Sequence, residues 1–483
     1  MNGRTPKLEL LDDALLRRVL DEAFQLLEQP GIRVQTAAAV DLLAGAGAKV
    51  ADGVVRLPRA LVEQALASAP KQFHLYDRGG QPAVHYGGDR VQFDPGSSCL
   101  NVLDPDTMRP RPAQAVDLVR LIKVAEMLPQ YAAQSTAMVC GDVPPEIGDL
   151  YRLFLVLWYS DKPVVTGAFT AAGLRPMLDL LRAERSDEEL RARPRAVFDV
   201  CPTPPLNWSE FACENLLELA RAGVPAEIVS MPLAGVAAPV TLAGSVVQHA
   251  AECLSGITLH QLASPGAPIV WGGAPAVVDM RTGTTPMGAI ETAMIDMACA
   301  QVGKRLGLPT HAYLVASDSK LVDAQAGVES GISAVLGALA GINMISGAGM
   351  LDFLACHSVE KLVLDADIIA SAQRLLEGIQ PRTPTLATGM FEEAGHAGQF
   401  LKLPATRQWF RSEIHLPSSV IDREAAAEEG ASSTDTFCRA RQRSRELEAA
   451  YVRSGLARTV EGALRSAVEP HTRRAGLATL PGL

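Results

Sequence analysis

The sequence predicts an α/β fold, a closed (β/α)8 TIM barrel with N-terminal helical and β-ribbon additions and a C-terminal helical extension. Two observations carry that prediction. Seven short apolar runs between residues 132 and 350 each precede a helix-length segment, and most end in small, polar or turn-forming residues. The runs are continuous rather than alternating, as strands buried on both faces of a parallel sheet must be. With residues 90–96 (RVQFDPG) as an eighth strand, the repeats fill a barrel of about 250 residues. A doubly wound open sheet is the rival. No G-x-G-x-x-G follows an early strand, however, and SGAGM at 346–350 lacks the third glycine and comes too late in the chain.

Taken in order, residues 1–112 are expected to be additions packed on the barrel. LLDDALLRRVLDEAFQLLEQPG has apolar residues at helical spacing and stops at Pro30-Gly31, and LPRALVEQALASAP begins a second helix near Pro58. A β-ribbon follows from FHLY to RPRP, punctuated by Gly-Gly and Asp-Pro turn signals. The barrel core is assigned to 113–380. Its strands are read in 132–142, 162–169, 196–205, 226–235, 268–273, 311–320 and 343–350. A typical intervening helix, 291–309, stops at Gly307 with Pro309 beyond it. Behind the strand at 311–320, Ala324, Val328, Ile332, Val335 and Leu339 share one helical face and are expected to be buried. Gly327 and Gly331 are expected to let that helix approach the sheet. Residues 381–483 form a helical extension, charged in REAAAEEGASSTDTFCRARQRSRELEAAYVRSG and expected to be loose at HTRRAGLATLPGL.

Composition narrows the function. A net charge of −10 opposes nucleic acid and favours a neutral or cationic small molecule. The eight cysteines lie mostly inside apolar runs and form no C-x-x-C pair, so a reducing compartment is expected. The opening MNGRTPKLELLDD has acids where a signal peptide needs an apolar segment, and no apolar run reaches membrane-spanning length. The expected location is cytoplasmic, with no membrane partner. A homo-oligomer is compatible with the terminal helices, but no heptad pattern specifies one.

Familiar catalytic motifs are missing. There is no G-x-S-x-G elbow, no Walker loop and no H-E-x-x-H, and the dispersed histidines predict no metal site. Candidates are therefore polar or aromatic residues at strand C-terminal ends, where barrel sites lie. Early in the barrel these are Asp94, Ser97, Gln134, Asp142 and Thr166; later ones are Ser230, Trp271 and Ser346. The segment VASDSKLVDAQAGVESG adds Asp318 and Lys320, and the last loop adds Phe353 and His357. Each has a structural alternative: Asp318 as a helix cap or a partner of Lys320, Trp271 and His357 as core.

Three late segments, APAVVDMRTGTTPMGAIETAMID, LPTHAYLVASDSKLVDAQAGVESG and ALAGINMISGAGMLDFLACHSVEKLVLDADII, resemble the trimethylamine methyltransferase (MttB) superfamily. So do VPAEIVSMPLAGVAAPVTLAGSVVQHAAECLSGITLHQLASPGAPIVWGG, VLDPDTMRPRPAQAVDLVRLIKVAEMLP and RSEIHLPSSVIDR, so that the likeness covers most of residues 10–425. The resemblance implies a TIM barrel that passes a methyl group from a methylamine to Co(I) of a separate corrinoid (cobalamin) protein, with no cofactor tightly bound to this chain. Founding members carry pyrrolysine in the barrel, expected near HAYLVASDSK. This chain shows only standard residues, which points to members that demethylate quaternary amines such as glycine betaine, proline betaine or carnitine.

That chemistry accounts for the missing motifs. A quaternary ammonium leaves as a neutral amine without a general acid, and the acceptor is itself the nucleophile, so positioning is the main task. The pocket needs aromatic faces or carboxylates for the cation and an anchor for the far end of the substrate. Asp318 and Lys320 are the candidate catalytic residues. Trp271 and Phe353 are candidate cage faces, Asp94 and Asp318 candidate counter-charges, Lys320, Arg281 and His357 candidate carboxylate anchors, and Ser97 a further contact. Alternatives are trimethylamine as methyl donor, a folate acceptor without corrinoid, and a non-catalytic betaine-binding paralogue.

Overall fold

The computed structural model describes residues 6–170, 172–425, 434–455 and 457–483. Eight parallel strands close into a barrel: β1 (Gln92–Pro95), β2 (Gln134–Ser135), β3 (Val164–Gly167), β4 (Ala196–Val200), β5 (Ala226–Ser230), β6 (Ile269–Gly273), β7 (His311–Tyr313) and β8 (Met344–Ala348). Regular parallel ladders join β2 through β6 and join β7 to β8. Single bridges, Phe93 with Tyr131 and Trp271 with Thr310, complete the β1–β2 and β6–β7 seams. The ring closes where β8 pairs with β1, with Ser346 beside Asp94. Residues 90–96 thus supply the first strand of the barrel, and no edge is left open for the rival sheet.

Each strand is followed by a helix: α1 (Ala115–Glu126), α2 (Gly148–Tyr159), α3 (Leu174–Glu184), α4 (Glu210–Ala222), α5 (Leu242–Ala263), α6 (Ile290–Arg305), α7 (Ala324–Leu339) and α8 (Val359–Leu376). The α6 stop works as its sequence predicts: Gly307 takes φ +72° and Leu308 N–H returns to Gly303 O at 3.0 Å. In α7 the expected face is wrong. Val328 and Ile332 are exposed, and the buried face is Ala326, Ser330, Ser333, Ala334, Gly337 and Ala338. Two hydroxyls explain the rotation, because Ser333 Oγ accepts from Val315 N–H at 3.0 Å and Ser330 Oγ donates to Val315 O at 3.1 Å. The close-approach glycine is Gly337, whose missing Cβ faces Leu314 and Ile345, while Gly327 and Gly331 face open space.

The N-terminal additions close the bottom of the barrel. The hairpin Phe73–Tyr76 with Pro82–Tyr86 brings Leu75, Val84 and Tyr86 against the strand-start residues Ala133, Val165, Val197, Val270 and Met344. This apolar plug leaves only the C-terminal end of the barrel for chemistry. The helix Asp13–Glu28, capped by Asp12 at 2.7 Å from Leu15 N, and the helix Arg59–Ser68 lie outside it.

In the extension, helices Thr436–Ala450 and Arg458–Arg474 are formed; residues 426–433 of the predicted charged helix lie outside the described set. The tail expected to be loose is docked: Tyr151 Oη donates to Pro481 O at 2.8 Å and Tyr159 Oη to Gly482 O at 2.7 Å. Among the described residues no helix is long and apolar enough to cross a membrane.

Candidate functional site

Strand alternation decides which side chains enter the barrel. Above the plug, Asp94, Asp199, Glu227, His311, Tyr313 and Ser346 converge, all buried. Ser346 Oγ donates to Asp94 Oδ1 at 2.5 Å and lies 2.9 Å from His311 Nε2. His311 Nδ1 approaches Glu227 Oε1 at 2.6 Å, without hydrogen-bond alignment. Nearer the mouth, Tyr313 Oη donates to Asp199 Oδ2 at 3.1 Å and sits 3.1 Å from Ser97 Oγ. Gly272 keeps this layer open, since a Cβ there would stand 3.1 Å from both Glu227 Cγ and His311 Nδ1.

Three buried carboxyl groups in one layer of the barrel is an expensive arrangement. Burial, then the neighbouring Glu227, pushes Asp199 up to about 8. Burial drives Glu227 and Asp94 well above the usual carboxylate range and holds His311 down, to about 4. Asp94 Oδ2, Asp199 Oδ1 and both Glu227 oxygens have no hydrogen-bond partner. Among the described residues no lysine or arginine forms an ion pair with any of the three. A site of this kind can present negative charge to an organic cation once a carboxyl group gives up its proton.

The loops above the site contain Asp318, Lys320 and Phe353. Asp318 is not a helix cap; Asp323 caps α7, accepting from Ala326 N–H at 3.1 Å. Asp318 instead ties the β7–α7 loop to the β6–α6 loop, accepting from Met287 N–H at 2.8 Å and Gly288 N–H at 3.0 Å. Lys320 lies 4.0 Å over the Phe353 ring, 3.5 Å from Asp352, and donates to Asp318 O at 2.7 Å. The last loop is strained, with Asp352, Phe353 and Leu354 all at positive φ. So is Val315, at φ +68° just beyond β7.

Of the residues picked from sequence, Asp94, Ser97 and Ser346 share the barrel site, and Asp318, Lys320 and Phe353 share the loops above it. The other picks are placed elsewhere. Trp271 points outward, its indole N–H donating to Cys299 O at 2.9 Å and its ring packed on Gly303 of α6. His357 is buried against Gly349, outside the carboxyl cluster. Arg281 is exposed and paired with Asp279 at 2.6 Å. Gln134 donates to Ile122 O, Asp142 accepts from Ala115 N–H at the start of α1, Ser230 donates to Glu252, and Thr166 bonds Thr136. Sequence reading missed Asp199, Glu227, His311 and Tyr313. Their available signal was a lone polar residue inside a buried strand, as in AVFDV and AEIVS.

The family profile described as trimethylamine methyltransferase (MTTB) matches residues 1–476. Trimethylamine methyltransferase MttB of Desulfitobacterium hafniense is 29% identical over 96% of this chain and 94% of its own length. Its counterpart in Methanosarcina thermophila is 32% identical over 89% of this chain and 90% of its own length. A glycine betaine methyltransferase of D. hafniense is 28% identical over 99% of this chain and 100% of its own length. The solved Methanosarcina barkeri monomethylamine methyltransferase (MtmB) shares the fold, with a TM-score of 0.54 at 10% identity, over 94% of this chain and 91% of that one. A full-length profile match on a closed barrel of the same architecture leaves one conclusion: the chain belongs to the trimethylamine methyltransferase (MTTB) family.

Proposed function

We propose that this protein demethylates a quaternary amine of the glycine betaine, proline betaine or carnitine type and passes the methyl group to a separate corrinoid protein. The observation that carries this reading is the cluster of Asp94, Asp199 and Glu227, buried with oxygens that lack partners. A quaternary ammonium has no N–H to offer and is held by aromatic faces or by opposite charge, and such a cluster can supply the charge. The chain also consists entirely of standard residues, whereas the resemblance attaches pyrrolysine to trimethylamine. A corrinoid would supply the nucleophile that takes the methyl group.

This chain's share is binding, orientation and exclusion of water. The carboxyl cluster fixes the ammonium, Tyr313 and Ser97 hold Asp199 in place, and the plug below seals the pocket. A substrate carboxylate would lie toward the mouth, where Lys320 is the cation at hand. The loops leaving the strand ends expose Leu100, Phe169, Met231, Val236, Val240 and Met280. Met280 and Val240 come together over Gly235. An apolar rim of this kind suits a docked protein that brings the acceptor to the mouth.

The test combines the purified protein, a reduced corrinoid protein and a panel of betaines, carnitine and trimethylamine, and follows the absorbance of methyl-cobalt. Methylation from a quaternary amine is the expected result. Methylation from trimethylamine alone would overturn the substrate class, and tight binding without methyl transfer would favour a betaine-binding paralogue.

A further inference from the structure

Asp94 and Glu227 lie on opposite sides of the barrel, on β1 and β5, and are joined by Ser346 and His311. Donor counting fixes the protons along this chain. The single hydroxyl hydrogen of Ser346 goes to Asp94 Oδ1, so His311 Nε2 must donate to Ser346 Oγ. A neutral imidazole then has a bare Nδ1, only 2.6 Å from Glu227 Oε1. A bare nitrogen and an ionised carboxylate repel at that distance even out of hydrogen-bond alignment, so Glu227 carries a proton. Reversing the links gives the other arrangement: Asp94 protonated, Ser346 donating to Nε2, and a protonated Nδ1 standing against an ionised Glu227 as an electrostatic contact. The chain can therefore place one negative charge at either end. One further proton has a seat on Asp94 Oδ2, which lacks a partner.

We infer that the pocket takes up its organic cation in exchange for a proton, with His311 and Ser346 sharing the resulting negative charge between Asp94 and Glu227. The inference rests on the proposed reading that a quaternary ammonium occupies this cavity. When the cation enters, a carboxylic O–H bond breaks, the proton passes to water, and the carboxylate left behind pairs with the ammonium. Charge within the barrel is unchanged. Once the amine has lost its methyl group and its charge, a proton returns.

The groups facing the chain come from every neighbouring element. They are Tyr86 from the plug beside Glu227, Asp199 on β4 with Cys201 just after it, and Tyr313 on β7. None is a cation, so none can neutralise a buried carboxylate in place of a proton. Burial acts in the same direction, raising all three carboxyl groups.

The experiment is titration calorimetry of glycine betaine, carnitine and 3,3-dimethylbutanoate, the neutral-carbon isostere of betaine, in buffers of different ionisation enthalpy. Close to one proton should be released per quaternary amine bound and none with the isostere, and the amine should bind about tenfold more tightly per pH unit over the range of release. Binding of a quaternary amine without proton release overturns this inference alone. If no quaternary amine binds, the functional reading falls and takes the inference with it. Asp94→Asn and Glu227→Gln should each keep release, because the remaining acid supplies it, and the double variant should lose it. Release that depends on one acid alone, or that survives in the double variant, refutes the sharing. Should the variants fail to fold, the wild-type measurement decides.

Discussion

Replacing Asp199 with asparagine should make the protein more stable and less active. The carboxyl is pushed from 3.8 up to about 8 by burial and by Glu227. A raised folded pKa means that the contribution of Asp199 to stability is complete below its unfolded value of 3.8 and is lost as pH rises toward about 8. At pH 7 folding must take up a proton that the unfolded chain does not hold, which costs about 4 kcal/mol at roughly 1.4 kcal/mol per pH unit. The Asp199→Asn side chain would avoid that cost and still accept from Tyr313 Oη. Its amide would face the position where Oδ1 has no partner, at a penalty of about 1–2 kcal/mol. The net expectation is a gain of about 2–3 kcal/mol at pH 7, shrinking to about zero near pH 5. Urea unfolding at pH 5, 7 and 8 measures it, and methyl transfer from betaine should fall in the same preparation. A variant less stable than the parent at pH 7, or a gap that does not change with pH, would show that Asp199 is not a destabilised site residue.

Asp318→Ala would leave the buried amide of Met287 without an acceptor, at about 1–3 kcal/mol, and the half-buried amide of Gly288 at less. Hydrogen exchange should quicken at those two residues and turnover should drop, whereas unchanged exchange would break the proposed tie between the loops. Trp271→Phe removes the indole bond to Cys299 O and part of the packing on α6, lowering stability by about 1–3 kcal/mol and leaving amine affinity unchanged. A tenfold loss of affinity at unchanged stability would place Trp271 in the cage after all. Lys361→Met should destabilise by about 3–5 kcal/mol, because it strands the buried Asp365, which accepts from Gly349 N–H; a thermal shift within error would refute that.

The barrel was legible because parallel strands buried on both faces write themselves as apolar runs, and each helix carries its own stop. Residues 90–96 could be recognised as a strand from RVQFDPG even with the ribbon between them and α1. The α7 face was misread for a physical reason. Hydrophobicity marks Val328 and Ile332, but the strained exit of β7 needs hydroxyls on Val315 and a buried cation behind it. Lys361 provides that cation, donating to Val315 O at 2.9 Å and to Ser330 Oγ at 2.8 Å. Such requirements belong to a neighbour in space and leave no periodic trace.

The site was misread for a related reason. Looking at strand ends selected Asp318 and Lys320, which stand out because four polar residues follow an apolar run. Asp199, Glu227, His311 and Tyr313 sit inside the runs instead, where a single Asp, Glu or His looks like an interruption. In a barrel the axis-facing positions are the only ones from which eight strands can aim at one point. A charge there meets neither water nor a helix, and its burial must be offset by a proton or by a bound partner. Asp199 in AVFDV and Glu227 in AEIVS are paired in register on adjacent strands. Two acids brought side by side in a dry interior, with no lysine or arginine paired to them among the described residues, are hard to explain as architecture. The cation of the proposed substrate would explain them, and would place the demand for a positively charged ligand in the strands themselves rather than in the loops above.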